Sequence, residues 1–429
     1  MHSNFDFAVA VSNTNDVAVT VTVTRGSTSV VQETVAAASV KVITLPWVPS
    51  LKGPDGQGAT VALVPMPSSV LEPGGAYKLV STRPVTVYQY NALQYQSGNE
   101  YSYTNDASLL LPVNTWRTKY MVAARHHFLA TSGYYTVVAS EDATQVTVAK
   151  GVKPLSMKGG VPGVDSSGNG TFTLNAGDVA TLVTEGSQQN DPSDVTGSLV
   201  TSDKPVQVFG GHQCTYVPYN SAACDHLEEA MFPVDTLSRE YIVTAPMAPD
   251  GGGPKSNLVR IIATDSDTTL TYDPPQPGAP ESIAQSGDWA EFQTTGSFQI
   301  KGNKRFLLAQ YALGQDAGGG GGDPDLSIGI PTAQYRTDYL FHAPVSYAQN
   351  FVNITAPLAA TVTLDGSVVS GLEPIGTTPF GAVRVALPTI NDGNHTITGD
   401  QPFGITVYGY GQYTSYWYPG GLDLDEIKE

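Results

Sequence analysis

Between Val206 and Val234 the chain reads VQVFGGHQCTYVPYNSAACDHLEEAMFPV, and no other part of the sequence mixes thiols, imidazoles and carboxylates so closely. The stretch holds both cysteines, Cys214 and Cys224, and two of the seven histidines, His212 and His226. Three acids, Asp225, Glu228 and Glu229, follow the second cysteine. Two thiols and two imidazoles are the atoms of a tetrahedral zinc site, with the Asp225 carboxylate beside them. Zinc needs thiolates, however, and the nine residues between the cysteines match neither the short Cys-x2–4-Cys spacing of zinc sites nor the redox Cys-x-x-Cys. A disulfide closing the loop is the favoured reading, and a metal held by His212, His226 and Asp225 stays open as the alternative. In the favoured reading His212 packs against the loop. Asp225 caps a short helical turn at Leu227–Ala230, its carboxylate accepting free amides. The loop itself, TYVPYNSAA, offers two rings, Tyr216 and Tyr219, and Pro218 as a stiffener. These three are the candidate ligand contacts, unless the rings pack on a neighbouring unit.

Other chemistries find less support. The glycine run 318–322 is followed by Asp-Pro-Asp, whereas a phosphate loop needs Gly-Lys-Ser/Thr opening a helix. It reads as a mobile loop. Its acids, Asp316, Asp323 and Asp325, have the oxygens calcium takes but not the spacing of an EF-hand. His126 and His127 have no acid or cysteine near in sequence and read as surface residues. No Gly-x-Ser-x-Gly, His-Glu-x-x-His or other nucleophile signature occurs. The expectation is a protein without catalysis and without a cofactor.

The segment GGHQC, nine residues, then CDHLEEAMFPV resembles the IgGFc-binding protein N-terminal region family. SYTNDASLLLPVNTW, Ser102 to Trp116, is similar to a second segment of that family, closer to its bacterial members. The family covers the amino-terminal part of a mammalian mucus protein and many large bacterial exoproteins. The resemblance implies an extracellular, β-rich binding region that is not an enzyme. It leaves the ligand open.

Composition bounds the rest. Charged residues are 14%, Gly numbers 44 and Pro 30, and Val, Thr and Tyr are frequent, which favours many short strands joined by turns. The net charge of −18 and the lack of Lys/Arg clusters argue against nucleic acid and against anionic membrane. No apolar run approaches the roughly 20 residues of a spanning helix. The opening MHSNFDFAVAV enters a strand at once without a signal peptide. Two readings compete, a cytosolic protein and a piece of a secreted one. The family resemblance implies the second, a secreted or cell-surface protein whose leader or anchor lies outside this sequence, and a start that enters a strand at once agrees with it.

The elements that must position these side chains recur. LPVNTWRTKYMVAA, FPVDTLSREYIVTA and IPTAQYRTDYLFHA each place a Tyr eight residues after a Pro: Pro112/Tyr120, Pro233/Tyr241 and Pro331/Tyr339. Inside each repeat, runs such as VVASEDATQVTV (from Val137) and IIATDSDTTLTY (from Ile261) read as hairpins, because Asp, Ser and Thr between alternating runs form turns. Closing strands begin near Pro84, Pro205, Arg305 and Pro402. The predicted architecture is all-β, with tandem β-sandwich-like repeats packed together. Its units are 1–110 (lacking the opening strand, as if truncated), 111–231 with the Cys loop, 232–329 and 330–429. A β-propeller with two blades per repeat is the alternative. The late cluster Tyr408, Tyr410, Tyr413, Tyr416, Trp417 and Tyr418 reads as a contact to a neighbouring unit. The functional expectation is an extracellular binding, adhesion or structural module whose partner is a protein or glycan on a cell or matrix surface. The competing class is a metal-dependent or carbohydrate-active enzyme on the same scaffold.

Overall fold

Alternating runs become strands because successive side chains of an extended chain face opposite sides, so one apolar set can be buried together. Thr144–Ala149 shows it: Thr144, Val146 and Val148 are buried, while Gln145, Thr147 and Ala149 are exposed. The computed structural model describes residues 2–55, 64–102, 104–317, 321–424 and 427. It is all-β, and Pro49–Lys52 is the one α-helix among the described residues.

The sheets face one another as tandem sandwiches. Phe7–Asn13 pairs with Ser39–Leu45 and Thr86–Asn91, and Asp106–Leu110 lies outside Thr86–Asn91. Opposite is the sheet Thr28–Val35, Val19–Arg25, Tyr77–Ser81, with Val9, Val11, Val21, Val35 and Ile43 between the two. The next sandwich is organised by one long strand, Leu199–Tyr216. Its first part pairs with Arg117–Met121 and Thr144–Ala149, its second with Gly133–Ala139 and Cys224–Ala230. Pro205 falls where the register with Arg117–Met121 shifts, a place where a residue without an N–H costs no ladder bond. Asn394–Gly411 repeats this arrangement with Arg336–His342, Val362–Leu364, Gln349–Pro357 and Thr414–Pro419. Between them, two four-stranded sheets centred on Phe298–Gly302 and Asn257–Ala263 enclose Val259, Ile261, Ile300 and Phe306. These strand orders are not the sequential meander of a propeller blade.

The expected hairpins are arches. Gly133–Ala139 and Thr144–Ala149 do not pair with each other; they pair with different parts of Leu199–Tyr216. Asn257–Ala263 and Thr268–Asp273 likewise enter different sheets. Polar turn residues are common to both connections, but in an arch the two apolar faces meet across the core.

The Pro…Tyr repeat has a physical basis. Each Pro is the N-cap of a single 3₁₀ turn, at Val113–Thr115, Val234–Thr236 and Thr332–Gln334. Each Tyr hydroxyl then accepts the backbone N–H three residues earlier, at 3.0 Å in all three copies. Successive copies are also linked, since Tyr120 bridges to Pro233 and Tyr241 to Pro331. The late aromatic cluster joins the end of the chain to its beginning and middle. Tyr418 packs on Tyr88 with ring centroids 4.7 Å apart, Tyr88 Oη donates to Gly420 O, and Tyr408 Oη accepts Met247 N. Of the Gly-rich loops, residues 56–58 of the 53–58 stretch and 318–320 of the 318–322 run lie outside the described residues.

Candidate functional site

Leu199–Tyr216 and Cys224–Ala230 form a hairpin in which Tyr216 is paired with Cys224. Gly210 and Gly211 are needed there: a Cβ would lie 2.1 Å from Ala123 O and 1.9 Å from Leu227 O, respectively, inside van der Waals contact. Cys214 and Cys224 are joined by a disulfide, with Cα atoms 5.3 Å apart. The helical turn expected at Leu227–Ala230 is absent, because those residues lie in the strand paired with Phe209–Tyr216. Asp225 does accept free amides, but those of Asn105 at 2.7 Å, just before Asp106–Leu110, and of Ser415 at 3.3 Å, in Thr414–Pro419.

The candidate metal ligands are separated by the pleat. His226 and Asp225 are neighbours in one strand and so point to opposite faces. His226 stacks on Tyr134 and lies 3.7 Å from Glu228 Oε2. His212 is fully buried, and its Nδ1 accepts the Cys214 N–H at 3.1 Å. Burial holds its pKa well below the ordinary histidine value, helped by the nearby His126, His127 and Arg125. No group of three His, Cys, Asp or Glu side chains able to hold a metal occurs among the described residues. His127, expected at the surface, is buried: its ring nitrogens meet Thr184 Oγ1 at 2.9 Å and Leu129 O at 3.0 Å.

The candidate contact residues differ in exposure. Tyr216 is half-buried on Phe128, with ring centroids 4.4 Å apart. Pro218 shapes a turn by accepting Ser221 N. Tyr219 is 41% exposed and meets the His126 ring edge-on, with its carbonyl held by Gln189 Nε2 at 2.9 Å. Leu129, also 41% exposed, lies in the adjoining loop, tied to Gln188 O through its N–H. On its other side the tip rests on the 313–317 segment through Gly314 N to Val217 O, 2.9 Å.

Beneath the tip lies a feature the sequence did not announce. Four strands, Asp106–Leu110, Cys224–Ala230, Leu326–Ile328 and Thr414–Pro419, pack side by side in a closed set. The last three each pair with the strand before them in the chain, Asp106–Leu110 pairs with Thr86–Asn91, and side chains join the four across the centre. Asp106 Oδ2 accepts Glu228 N at 2.8 Å and Leu326 N at 3.3 Å. Asp225 Oδ2 accepts Thr414 Oγ1 at 3.0 Å, while Glu229 Oε1 accepts Ser108 Oγ at 2.7 Å and Leu109 N at 3.2 Å. Burial pushes the Asp106, Asp225 and Glu229 carboxyls well up, with Asp325 adding to the rise at Asp106 and Asp323 at Asp225. The same N–H and O–H donors oppose the rise. Asp323 and Asp325 are pushed by burial up to about 7, against the pull of Lys255, itself brought by burial down to about 8.

A countable signal was available for these acids. Asp106 and Asp325 each stand six residues before a repeat proline, and Asp225 and Asp323 each stand eight before one. The arrangement offers staples and protons. It brings together no nucleophile, base and orienting acid among the described residues. The two sequence segments with family resemblance supply its first two strands, which pack on each other.

A family model described as IgGFc binding protein matches residues 106–409. Human IgGFc-binding protein is 24% identical over 342 residues, covering 77% of this chain and 6% of the human protein, so the chain spans a small part of that relative's length. Among solved structures, a biofilm-associated protein BSP domain has a TM-score of 0.14 and 7% identity over 100% of this chain and 92% of that one. A tetra-tandem repeat from the extending region of a large adhesion protein has a TM-score of 0.09 and 14% identity over 96% and 94%. The family match opens at Asp106, runs through the disulfide-closed hairpin and ends at Gly409: this chain belongs to the IgGFc-binding protein family.

Proposed function

We propose that this chain is an extracellular, non-enzymatic binding module of a secreted or surface protein. Its contact face is the cluster of hairpin tips around Tyr219. The observation that carries this reading is the exposure of Tyr219, on a tip closed by a disulfide, and of Leu129 in the adjoining loop. An aromatic ring held in place loses little conformational entropy on contact, and loops on a rigid scaffold are where binding residues concentrate. The tips also gather at one end. Tyr101 meets Tyr413 edge-on, Tyr95 packs on Tyr347, and the Cys hairpin leans on Gly314. Tyr413, 39% exposed, extends the face. Division into four repeat units, 1–110, 111–231, 232–329 and 330–429, is part of the proposal; the recurring Pro…Tyr turn supports it.

The partner is a protein or glycan of a cell or matrix surface, and the name of the human relative makes the IgG Fc fragment one protein to try. The test is a binding panel of IgG Fc, mucin-type glycans and whole cells, with wild type against Tyr219→Ser/Leu129→Ser. Loss of binding by tenfold or more at unchanged melting temperature supports the face. Binding retained in full by the variant sinks it.

A further inference from the structure

Asp106, Asp225, Glu229 and Asp325 are no more than 1% exposed and Asp323 4%, and Lys255, 1% exposed, is the buried lysine beside this group, acting on Asp323 and Asp325. One cation cannot neutralise five anions, so the hydrogen bonds indicate which groups hold protons. Both oxygens of Asp106 and of Asp225 accept N–H or O–H donors, as a carboxylate does. Asp323 Oδ1, Asp325 Oδ1 and Glu229 Oε2, by contrast, are buried without a hydrogen-bond partner among the described residues. An unpaired carboxylate oxygen in an apolar interior is costly, and a proton relieves that cost. Asp323 and Asp325 also lie in the segment leading into Leu326–Ile328, the third in chain order of the four strands of the closed set, here called axial strands. Lys255 Nζ donates there to Gly321 O at 2.9 Å, and Asp323 N donates to Ser415 Oγ at 2.9 Å.

We propose that Asp323 and Asp325 form a proton-held clasp: as neutral carboxylic acids they keep residues 321–325 seated on the axial strands, and when their protons leave, this lead-in lifts from beneath the hairpin tips. The groups facing the pair are Lys255 and Asp316, Asp106 from the first axial strand, Asp225 from the second, and Tyr410 beside Lys255; Glu229 lies beyond them, beside Asp106, and Glu228 beside Glu229. Apart from Lys255 the charged members are acids, so each proton lost adds repulsion. The sign follows. A carboxyl that titrates near 3.8 when open and near 7 when seated favours the seated form most in acid, and that preference is lost as pH rises from 3.8 to 7. Lys255, at about 8 seated and 10.5 open, acts the other way between those values. Opening is therefore greatest between about pH 7 and about pH 8.

Hydrogen exchange of three amides reads the clasp directly: Asp323 N, Leu326 N on Asp106 Oδ2, and Ala312 N on Asp325 O. Exchange is corrected for its intrinsic pH dependence and compared with core amides such as Val259. Protection at the three sites is expected to fall at least about tenfold from about pH 5 to about pH 7.5 while the core holds. In Asp323→Asn/Asp325→Asn the fall should vanish, and in Lys255→Met the recovery above about pH 8 should vanish. Flat protection in wild type overturns the proposal whether or not the variants fold. So does an undiminished fall in the double variant. Full restoration of protection at about pH 7.5 by millimolar calcium also overturns it, by making the cluster a cation site.

Discussion

Arg260 offers the sharpest test of how the sandwiches are joined. Its guanidinium is fully buried between the 111–231 and 232–329 segments. It ion-pairs with Asp194 at 3.1 Å and Glu291 at 2.7 Å, donates to Ala124 O and Thr196 Oγ1 at 2.9 Å, and stacks on Trp289 at 3.6 Å. Arg260→Leu removes these contacts unequally. Ala124 O still accepts Tyr311 Oη and Thr196 Oγ1, and Glu291 keeps Arg125 at 2.9 Å. Asp194, 3% exposed, keeps among the described residues only the Thr196 N–H, on its other oxygen. Breaking a buried pair on one side costs about 3–5 kcal/mol, most of it from the stranded charge. Asp194→Asn in the Arg260→Leu background should then recover part of that loss, because it removes the stranded charge.

The melting temperature converts this loss into a statement about cooperativity. Unfolding entropy runs at about 2.1 cal/mol/K per residue, so a chain of 429 residues melting as one unit has about 0.9 kcal/mol/K. A loss of about 4 kcal/mol then shifts the midpoint by about 4–5 °C. One sandwich of about 100 residues melting alone would shift by roughly 15 °C or more for the same loss. The closed set of axial strands predicts the small shift and a single transition by calorimetry. Two resolved transitions, or a shift above about 15 °C confined to one, would refute the reasoning.

Four further outcomes are expected. Cys224→Ser removes a short covalent loop worth about 2–3 kcal/mol by chain entropy, so the protein stays folded but is cut by protease between Tyr216 and Ala223. Native mass spectrometry of the fragments checks this. Tyr216→Ala exposes the Phe128 face and lowers stability by about 2–4 kcal/mol in urea, whereas Tyr219→Ala changes it by less than about 1. His126, held near 4 by burial and by Arg125, contributes stability present above about pH 6.5 and lost as pH falls toward 4. The stability difference between wild type and His126→Phe should therefore move toward the variant by up to about 1.4 kcal/mol per pH unit across that window. Asp225→Asn faces an amide N–H₂ against donors from Asn105, Ser415 and Thr414 and should cost about 2–4 kcal/mol by urea unfolding at neutral pH. A cost under about 1 would mean the native group is already protonated.

Much of the fold could be read from the chain because its signals are local. Alternation every second residue, prolines opening 3₁₀ turns and the tyrosines that follow all act within about one turn of sequence. The arches failed because the same Asp, Ser and Thr make either connection, and only the partner strand decides which. Leu227–Ala230 failed for a related reason. LEEA is a good helix sequence, and pairing with Phe209–His212 overrides that preference. The buried charges are the hardest case. Nothing near Arg260 in sequence reports that Asp194 will be there, and nothing near Asp106 reports Glu228 or Leu326.

The axial strands also explain why a β-protein should carry acids where a core is expected to be apolar. Strands that pack side by side without a shared ladder leave N–H groups turned toward one another, and each buried N–H needs an acceptor. A short carboxylate reaches two or three of them at once. Asp106 serves donors from two other axial strands, and Asp225 serves Asn105, just before one, and Ser415, in another. Hydroxyls of Ser108, Thr414 and Ser415 complete the set. The staples hold the starting ends of the strands together: Asn105 lies by Asp225, Ser108 by Glu229, and Asp323 by Ser415. Every one of those ends follows directly from a hairpin tip. Gathering the strand starts therefore draws together the turns that precede them, among them the Cys hairpin that carries Tyr219 and the turn that carries Tyr413.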